Sequence, residues 1–216
     1  PINYQMNTTS LKYVPFIIAF FYVSLSFSQR EAEKWKAQFS LGANSPSQSN
    51  FVERFSAESV NGPTLNIGIQ HFFSKQIGFK LDYGFNRISK LSDTATFKIN
   101  YSRLDTQLVV DLSPWIPFIK DRTKLITHGG FGYSWSTPLA EEVINKLSYP
   151  NGILGTEFHY YLTKLMSLYF DFSYIKGMTS SDLSKMDNGG LAAFNGDMIN
   201  MTMGLTFSLS GCYNCN

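Results

Sequence analysis

The sequence predicts an all-β protein: an eight-stranded antiparallel up-and-down transmembrane β-barrel, preceded by a cleavable signal peptide. Three observations support this fold. Eight segments of about ten residues alternate apolar and polar side chains, which is the period of a strand and the length that a tilted strand needs to cross a bilayer. Hydrophobic residues make up 44% of the chain and charged residues only 16%, with 19 Phe and 12 Tyr. Yet no apolar run reaches the ~18 residues of a transmembrane helix.

The amino end predicts export. Residues 13–27, YVPFIIAFFYVSLSF, form an apolar stretch that follows Lys12, ends in small residues and precedes a charged run at 30–34. This is the pattern of a secretory signal peptide, and the stretch is too short for a transmembrane helix. The alternative, a buried N-terminal helix, is disfavoured by that abrupt charged run. We therefore divide the chain into upstream residues plus signal peptide (1–29), an outer-membrane β-barrel (30–210) and the start of a periplasmic linker (211–216), beyond which we expect the protein to continue.

The eight alternating segments follow the signal peptide along the chain. In the third, QIGFKLDYGFN, large apolar side chains take one face, and glycines, charges and an amide take the other. In the last, MTMGLTFSL, methionine, leucine and phenylalanine alternate with threonine, glycine and serine. The fifth, KLITHGGFGYSW, is the weakest of the eight. The predicted strands lie within residues 33–44, 64–73, 76–86, 100–112, 124–135, 151–162, 167–177 and 201–209.

The polar face of these segments is rich in glycine and serine and carries few charges. A soluble β-sandwich also alternates, but its outward face is freely polar. Small residues with sparse, opposite charges suit the narrow interior of an eight-stranded barrel, where there is just room for side chains. Buried charges must be paired to be tolerated. We therefore predict a lumen charge network of ion pairs that fills the barrel, formed by Lys80, Asp82, Arg103, Asp105, Glu157 and Asp171.

The connections between the segments alternate between long and short, as the outer-membrane rule of long outer loops and short periplasmic turns requires. The exception is the turn at 113–123, SPWIPFIKDRT, which is long for a periplasmic turn; Trp115 and Phe118 would suit the membrane interface. The fourth outer loop, 177–196, is rich in Gly, Ser and Asn and is predicted to be mobile. Aromatic side chains sort into two girdles. The inner girdle is Phe72, Phe73, Tyr160, Tyr161 and Phe207, and the outer girdle is Tyr83, Phe85, Tyr101, Trp135 and Tyr174.

The last segment carries a more specific signal. From the signal peptide to about Leu209, the chain resembles the amino-terminal eight-stranded barrel of outer-membrane protein A, in the version found in Bacteroidota. Barrels of this family end in the pattern polar, any, Gly, any, any, hydrophobic, any, hydrophobic or aromatic. Thr202, Gly204, Phe207 and Leu209 fill it, with leucine where an aromatic residue is commoner. The resemblance implies that the barrel-assembly machinery reads this strand, and that the protein contacts lipid in the outer membrane of a Gram-negative bacterium.

Two cysteines follow the last segment. Cys212 and Cys215 are spaced C-x-x-C in a compartment that is oxidising, so the spacing allows a disulfide. A zinc site or a redox motif is the alternative, but zinc normally takes four ligands and the chain has no second Cys or His pair to supply them. The family resemblance implies that a linker and a peptidoglycan-binding domain come next. We read the cysteines as part of that linker.

These features favour a structural barrel that anchors the cell envelope and is tethered to peptidoglycan through a missing C-terminal domain. The alternative is an accessory barrel subunit of a secretion or gliding machine. An enzyme is disfavoured, because His128 and His159 beside Glu157 lack a visible serine elbow or an orienting acid at the outer rim. We expect no catalytic residue, no cofactor and no metal site. The net charge of +2 carries no nucleic-acid signature, so no nucleic-acid partner is expected.

Overall fold

The computed structural model describes residues 35–52, 55–89, 97–119, 122–139, 145–179 and 182–209. Within them the chain forms a closed barrel of eight strands, in which each strand pairs antiparallel with the next and β8 pairs with β1. The predicted fold class is therefore confirmed. The strands are β1 (Trp35–Pro46), β2 (Asn61–Phe72), β3 (Ile77–Ser89), β4 (Lys98–Asp111), β5 (Thr123–Pro138), β6 (Leu147–Tyr161), β7 (Met166–Gly177) and β8 (Met198–Ser208).

Among the described residues, the helical elements are all short. Three are 3₁₀ turns, Gln48–Asn50, Ser113–Trp115 and Leu183–Lys185, and one is a single α-helical turn, α1 (Asp187–Gly190). Within the described ranges, no helix has the length and apolar character needed to cross a membrane. The predicted signal peptide, together with Cys212 and Cys215, lies outside the described residues.

The two ends of the barrel differ in their connections. One end, which we call the turn end, holds the connections 73–76, 112–122 and 162–165, the start of β1 and the end of β8. The other, the loop end, holds the connections 47–60, 90–97, 139–146 and 178–197. These match the predicted turns and loops closely, because apolar alternation stops where a strand leaves the sheet.

Alternation places large apolar side chains outside and polar side chains inside. On β3, Leu81 is 51% exposed, while its neighbours Lys80 and Asp82 are buried. The same pattern repeats around the barrel, so that a belt of leucine, isoleucine, methionine and aromatic side chains covers its outer surface. An exposed apolar belt around a polar interior is the reverse of a soluble barrel and is what a lipid environment requires.

Candidate functional site in the barrel interior

The central layer of the interior is built around Arg103 on β4. Its guanidinium Nη1 lies 3.0 Å from Asp82 Oδ2 and also pairs with Asp105 Oδ2, and its Nη2 donates to Asn66 Oδ1 at 3.1 Å. The register explains this cluster, because Asp82 on β3 stands directly opposite Asp105 on β4. Gly84 faces Arg103, and a Cβ there would lie 2.7 Å from the guanidinium carbon. Glycine at this position therefore makes the space that the arginine occupies.

A second cluster crosses the lumen nearer the turn end. Lys80 Nζ lies 2.6 Å from Glu157 Oε1 on β6, so this pair joins strands that are not neighbours in the sheet. Glu157 Oε2 also accepts hydrogen bonds from Gln38 Nε2 at 2.9 Å and pairs with His159 Nε2 at 2.7 Å. Lys80 lies 3.8 Å from Asp82, which connects the two clusters. Buried carboxylates and cations thus satisfy one another across the whole width of the barrel.

Asp171 has a different partner from the other predicted lumen charges. It is buried on β7, and its Oδ1 lies 3.4 Å from His128 Nε2 on β5. The sequence grouped Asp171 with the lysine and arginine, but within the described residues its ion-pair contact is this histidine. Gly155 makes room for the ring, since a Cβ there would stand 2.5 Å from His128 Nε2. The sequence carried a signal for this contact, because the alternation along β5, β6 and β7 places His128, Gly155 and Asp171 at inward-facing positions.

Donor atoms of His128, Glu157 and Asp171 lie within 4.8 Å of one another, which is the arrangement that a metal ion could use. Both oxygens of Glu157 already accept from Lys80, Gln38 and His159. His128 and Asp171 contact each other at 3.4 Å, and these two residues alone are fewer ligands than a structural metal site requires. The donor set fits an ion-pair and hydrogen-bond network better than a metal centre.

A serine that sequence reasoning missed completes a polar chain at the turn end. Ser167 Oγ lies 3.1 Å from His159 Nδ1, and His159 Nε2 lies 2.7 Å from Glu157 Oε2. A serine, a histidine and an acid linked in this order by hydrogen bonds are the parts of an acyl-transfer relay. Here the serine is only 2% exposed and the acid is held by Lys80. The chain therefore links β6 and β7 inside the barrel without presenting a nucleophile to solvent.

The loop half of the interior holds an apolar cluster that the sequence analysis did not anticipate, beside buried polar side chains such as Asn44, Asn86 and Asn200. Loop residues Phe51 and Phe194 stack at 4.9 Å between ring centroids, and Phe194 also meets the ring of Tyr101 at 5.9 Å. Inward side chains near the loop ends of five strands surround them. This mouth cluster consists of Phe51, Ala57, Ile88, Phe97, Ile99, Tyr101, Tyr149, Ile153, Ile175, Ala192, Phe194 and Met198.

Two expectations are corrected by the mouth cluster. Tyr101 was placed in the outer aromatic girdle, but it is fully buried inside and its hydroxyl lies 2.6 Å from Ser134 Oγ. It shares the odd-numbered, inward parity of Arg103 and Asp105 on β4, which decides its direction. The fourth loop was predicted to be mobile, yet Ala192, Ala193 and Phe194 are fully buried. Tyr149 Oη donates to the Phe194 carbonyl at 2.8 Å, so this part of the loop is packed into the barrel mouth.

The predicted assembly signal lies on β8 and just beyond it. Thr202 and Gly204 face inwards, and Ser40 Oγ donates to Thr202 Oγ1 at 3.0 Å. Gly204 is required by close approach, because a Cβ there would stand 2.1 Å from the Phe39 carbonyl oxygen. Phe207 and Leu209 are exposed on the outer surface. Recognition of this strand by an assembly machinery stays a prediction.

The closed sheet, the apolar outer belt and the filled polar interior define a transmembrane β-barrel of the kind found in bacterial outer membranes. Solved structures share this architecture. Neisserial surface protein A (NspA) is 11% identical, with a TM-score of 0.54, over 81% of this chain and 96% of that one. The outer membrane protein OprG from Pseudomonas aeruginosa is 10% identical, with a TM-score of 0.51, over 82% of this chain and 96% of that one. No protein-family model and no curated protein matches the chain.

Proposed function

We propose that this chain is a closed structural barrel of a Gram-negative outer membrane, which anchors the envelope and does not serve as a pore. The observation that carries the proposal is the filled interior. Ion pairs around Arg103 and Lys80 cross the lumen from its central layer towards the turn end, and the mouth cluster packs inside the loop half. A barrel of eight strands has just enough interior for side chains, so we expect these two layers to block the passage of ions.

Conductance in planar lipid bilayers tests this proposal. We expect the purified, folded barrel to give no large stable conductance under conditions in which a reconstituted porin conducts. The physical reason is that an ion would have to displace both paired charges and packed aromatic rings. Porin-like currents from the wild-type protein would overturn the closed-barrel proposal and favour a role in transport.

The tether part of the proposal rests on the family resemblance and on where the sheet closes. β1 starts and β8 ends side by side at the turn end, where Leu209 N donates to the Trp35 carbonyl at 2.8 Å. Any domain that follows β8 would therefore emerge on the side of the short turns, which is the periplasmic side by the outer-membrane rule. Co-sedimentation of the full gene product with purified peptidoglycan tests this. We expect residues 30–210 alone to stay in the supernatant and the full product to pellet, and a full product that stays in solution would overturn the tether.

One observation favours the accessory-subunit alternative. The turn 112–122 is long and presents Trp115, 63% exposed, and Phe118, 83% exposed. Exposed aromatic side chains at the periplasmic end would suit a partner protein of a secretion or gliding machine. Co-purification of the tagged protein from its native membranes, with and without Trp115→Ser/Phe118→Ser, distinguishes the two roles. A stable partner that is lost in the double variant would support the accessory barrel.

A further inference from the structure

The described parts of all three connections at the turn end share one composition. Each carries at least one exposed, large apolar side chain and one exposed basic side chain. The basic residues are Lys75, Arg122 and Lys164. Residues 120 and 121 of the middle turn, a lysine and an aspartate, cancel in charge. This end of the barrel therefore combines apolar surface with an excess of positive charge.

The apolar side chains extend around the whole perimeter. Between the first and the last turn, Trp35 at the start of β1 and Leu209 beyond β8 continue this apolar surface. All of these residues are about half exposed or more, and they adjoin the lipid-facing belt of the strands. We call this set the apolar rim: Trp35, Phe73, Trp115, Phe118, Leu162, Leu165 and Leu209.

Hydrogen bonds fix the turns that carry the rim. Ser113 Oγ accepts from Leu125 N at 2.9 Å, and Asp111 Oδ1 accepts from Ser113 N at 3.0 Å. Lys124 Nζ holds Asp111 at 3.0 Å, so the base of the long turn is braced against β5. In the other two turns, Ser74 Oγ and Thr163 Oγ1 each accept two backbone N–H groups. The exposed side chains are thus presented on ordered backbone.

Apolar and aromatic side chains next to lysine and arginine are what the boundary between acyl chains and headgroups selects. Basic groups there also attract the headgroups of anionic lipids. We propose that the turn end is a lipid-binding surface, seated in the membrane interface, that prefers anionic phospholipids, and that the segment 112–119 inserts Trp115 and Phe118 into that interface. This inference rests on the proposed membrane location and adds the depth and lipid preference of one end.

Fluorescence quenching in vesicles tests the inference. A variant with Trp35→Phe and Trp135→Phe leaves Trp115 as the only tryptophan. In phosphatidylcholine vesicles with brominated acyl chains, we expect Trp115 to lose most of its emission to the brominated lipid and little to aqueous acrylamide. Two other single-tryptophan variants give the quenching expected in lipid and in water. Trp135 alone reports a strand position in the belt, and Lys185→Trp in a background with all three tryptophans changed to phenylalanine reports a loop position in water.

The lipid preference has its own readout. At equal mole fraction, brominated phosphatidylglycerol should quench Trp115 more than brominated phosphatidylcholine, and the triple change Lys75→Gln/Arg122→Gln/Lys164→Gln should remove that difference. Equal quenching by both lipids in the wild-type charge background would overturn the anionic preference. If acrylamide quenches Trp115 as strongly as it quenches the indole at position 185, the turn stands in water and the surface is open to a protein partner. If Trp135 alone escapes brominated lipid, the membrane location itself fails, which is a separate result.

Discussion

Arg103 is the residue on which the central ion-pair layer depends. Changing Arg103 to alanine leaves Asp105 buried without its cation and leaves Asp82 with only its 3.8 Å contact to Lys80. Breaking a buried pair in this way costs about 3–5 kcal/mol. We expect urea unfolding of the vesicle-folded barrel, followed by tryptophan emission, to show a loss of that size. The matched control is Arg103→Ala/Asp82→Asn/Asp105→Asn, which removes the stranded charges and should recover much of the loss. A single Arg103→Ala variant as stable as wild type would contradict the buried-network interpretation.

Ser167 provides a second test at the residue scale. It belongs to a serine, histidine and acid chain, but it is buried and its histidine contact serves to join β6 to β7. We expect a fluorophosphonate probe to leave the folded barrel unlabelled, since a nucleophile must be reachable to react. Labelling that disappears in Ser167→Ala but persists in the exposed control Ser59→Ala would reveal an enzyme and contradict our expectation of a non-catalytic barrel.

The fourth loop is the element whose packing into the barrel mouth differs most from the prediction. Phe194 is fully buried among the rings of Phe51 and Tyr101, so Phe194→Ala should cost about 3–5 kcal/mol through lost burial and the cavity left behind. Val60→Ala is the control, because Val60 is 71% exposed at the loop end and its truncation should cost about 0.5 kcal/mol or less. Urea unfolding measures both. Similar losses in the two variants would show that the loop segment is not packed into the mouth.

The strands could be predicted from the sequence, because a period of two is imposed on every residue of a sheet with unlike faces. This period directly places Leu81 on the outer face of β3, and Lys80 and Asp82 on its inner face. The same rule also fixes Tyr101 as an inward residue, and assigning it to a girdle by its height alone was the error. The burial of Phe194 could not be predicted this way, since loops have no periodicity and a Gly- and Asn-rich segment has the composition of an exposed one. The contacts of Ser167 with His159 and of His128 with Asp171 became visible only in the structure, because they depend on strand register and on side-chain conformation.

At the scale of the whole molecule, the closed sheet predicts resistance to detergent. Every strand is paired on both sides, so no open edge remains from which unfolding can begin. We expect the mature chain to fractionate with outer membranes, and to migrate at different positions in gels with and without prior boiling in sodium dodecyl sulfate. Recovery in the soluble periplasmic fraction, or a single band position under both conditions, would contradict the transmembrane barrel.

The pairing of β1 with β8 also constrains how the protein folds. Lys36 pairs with Ser208 across nearly the full length of the described chain, so this junction has the largest sequence separation in the molecule. Contacts between distant segments form slowly, because the intervening loop must first be closed. Until β8 has been synthesised and delivered, β1 keeps a bare edge of hydrogen-bonding groups in an apolar, aromatic chain, which is a template for aggregation. We therefore expect the pairing of β1 with β8 to be the slow, closing step of folding, and the step that removes this edge.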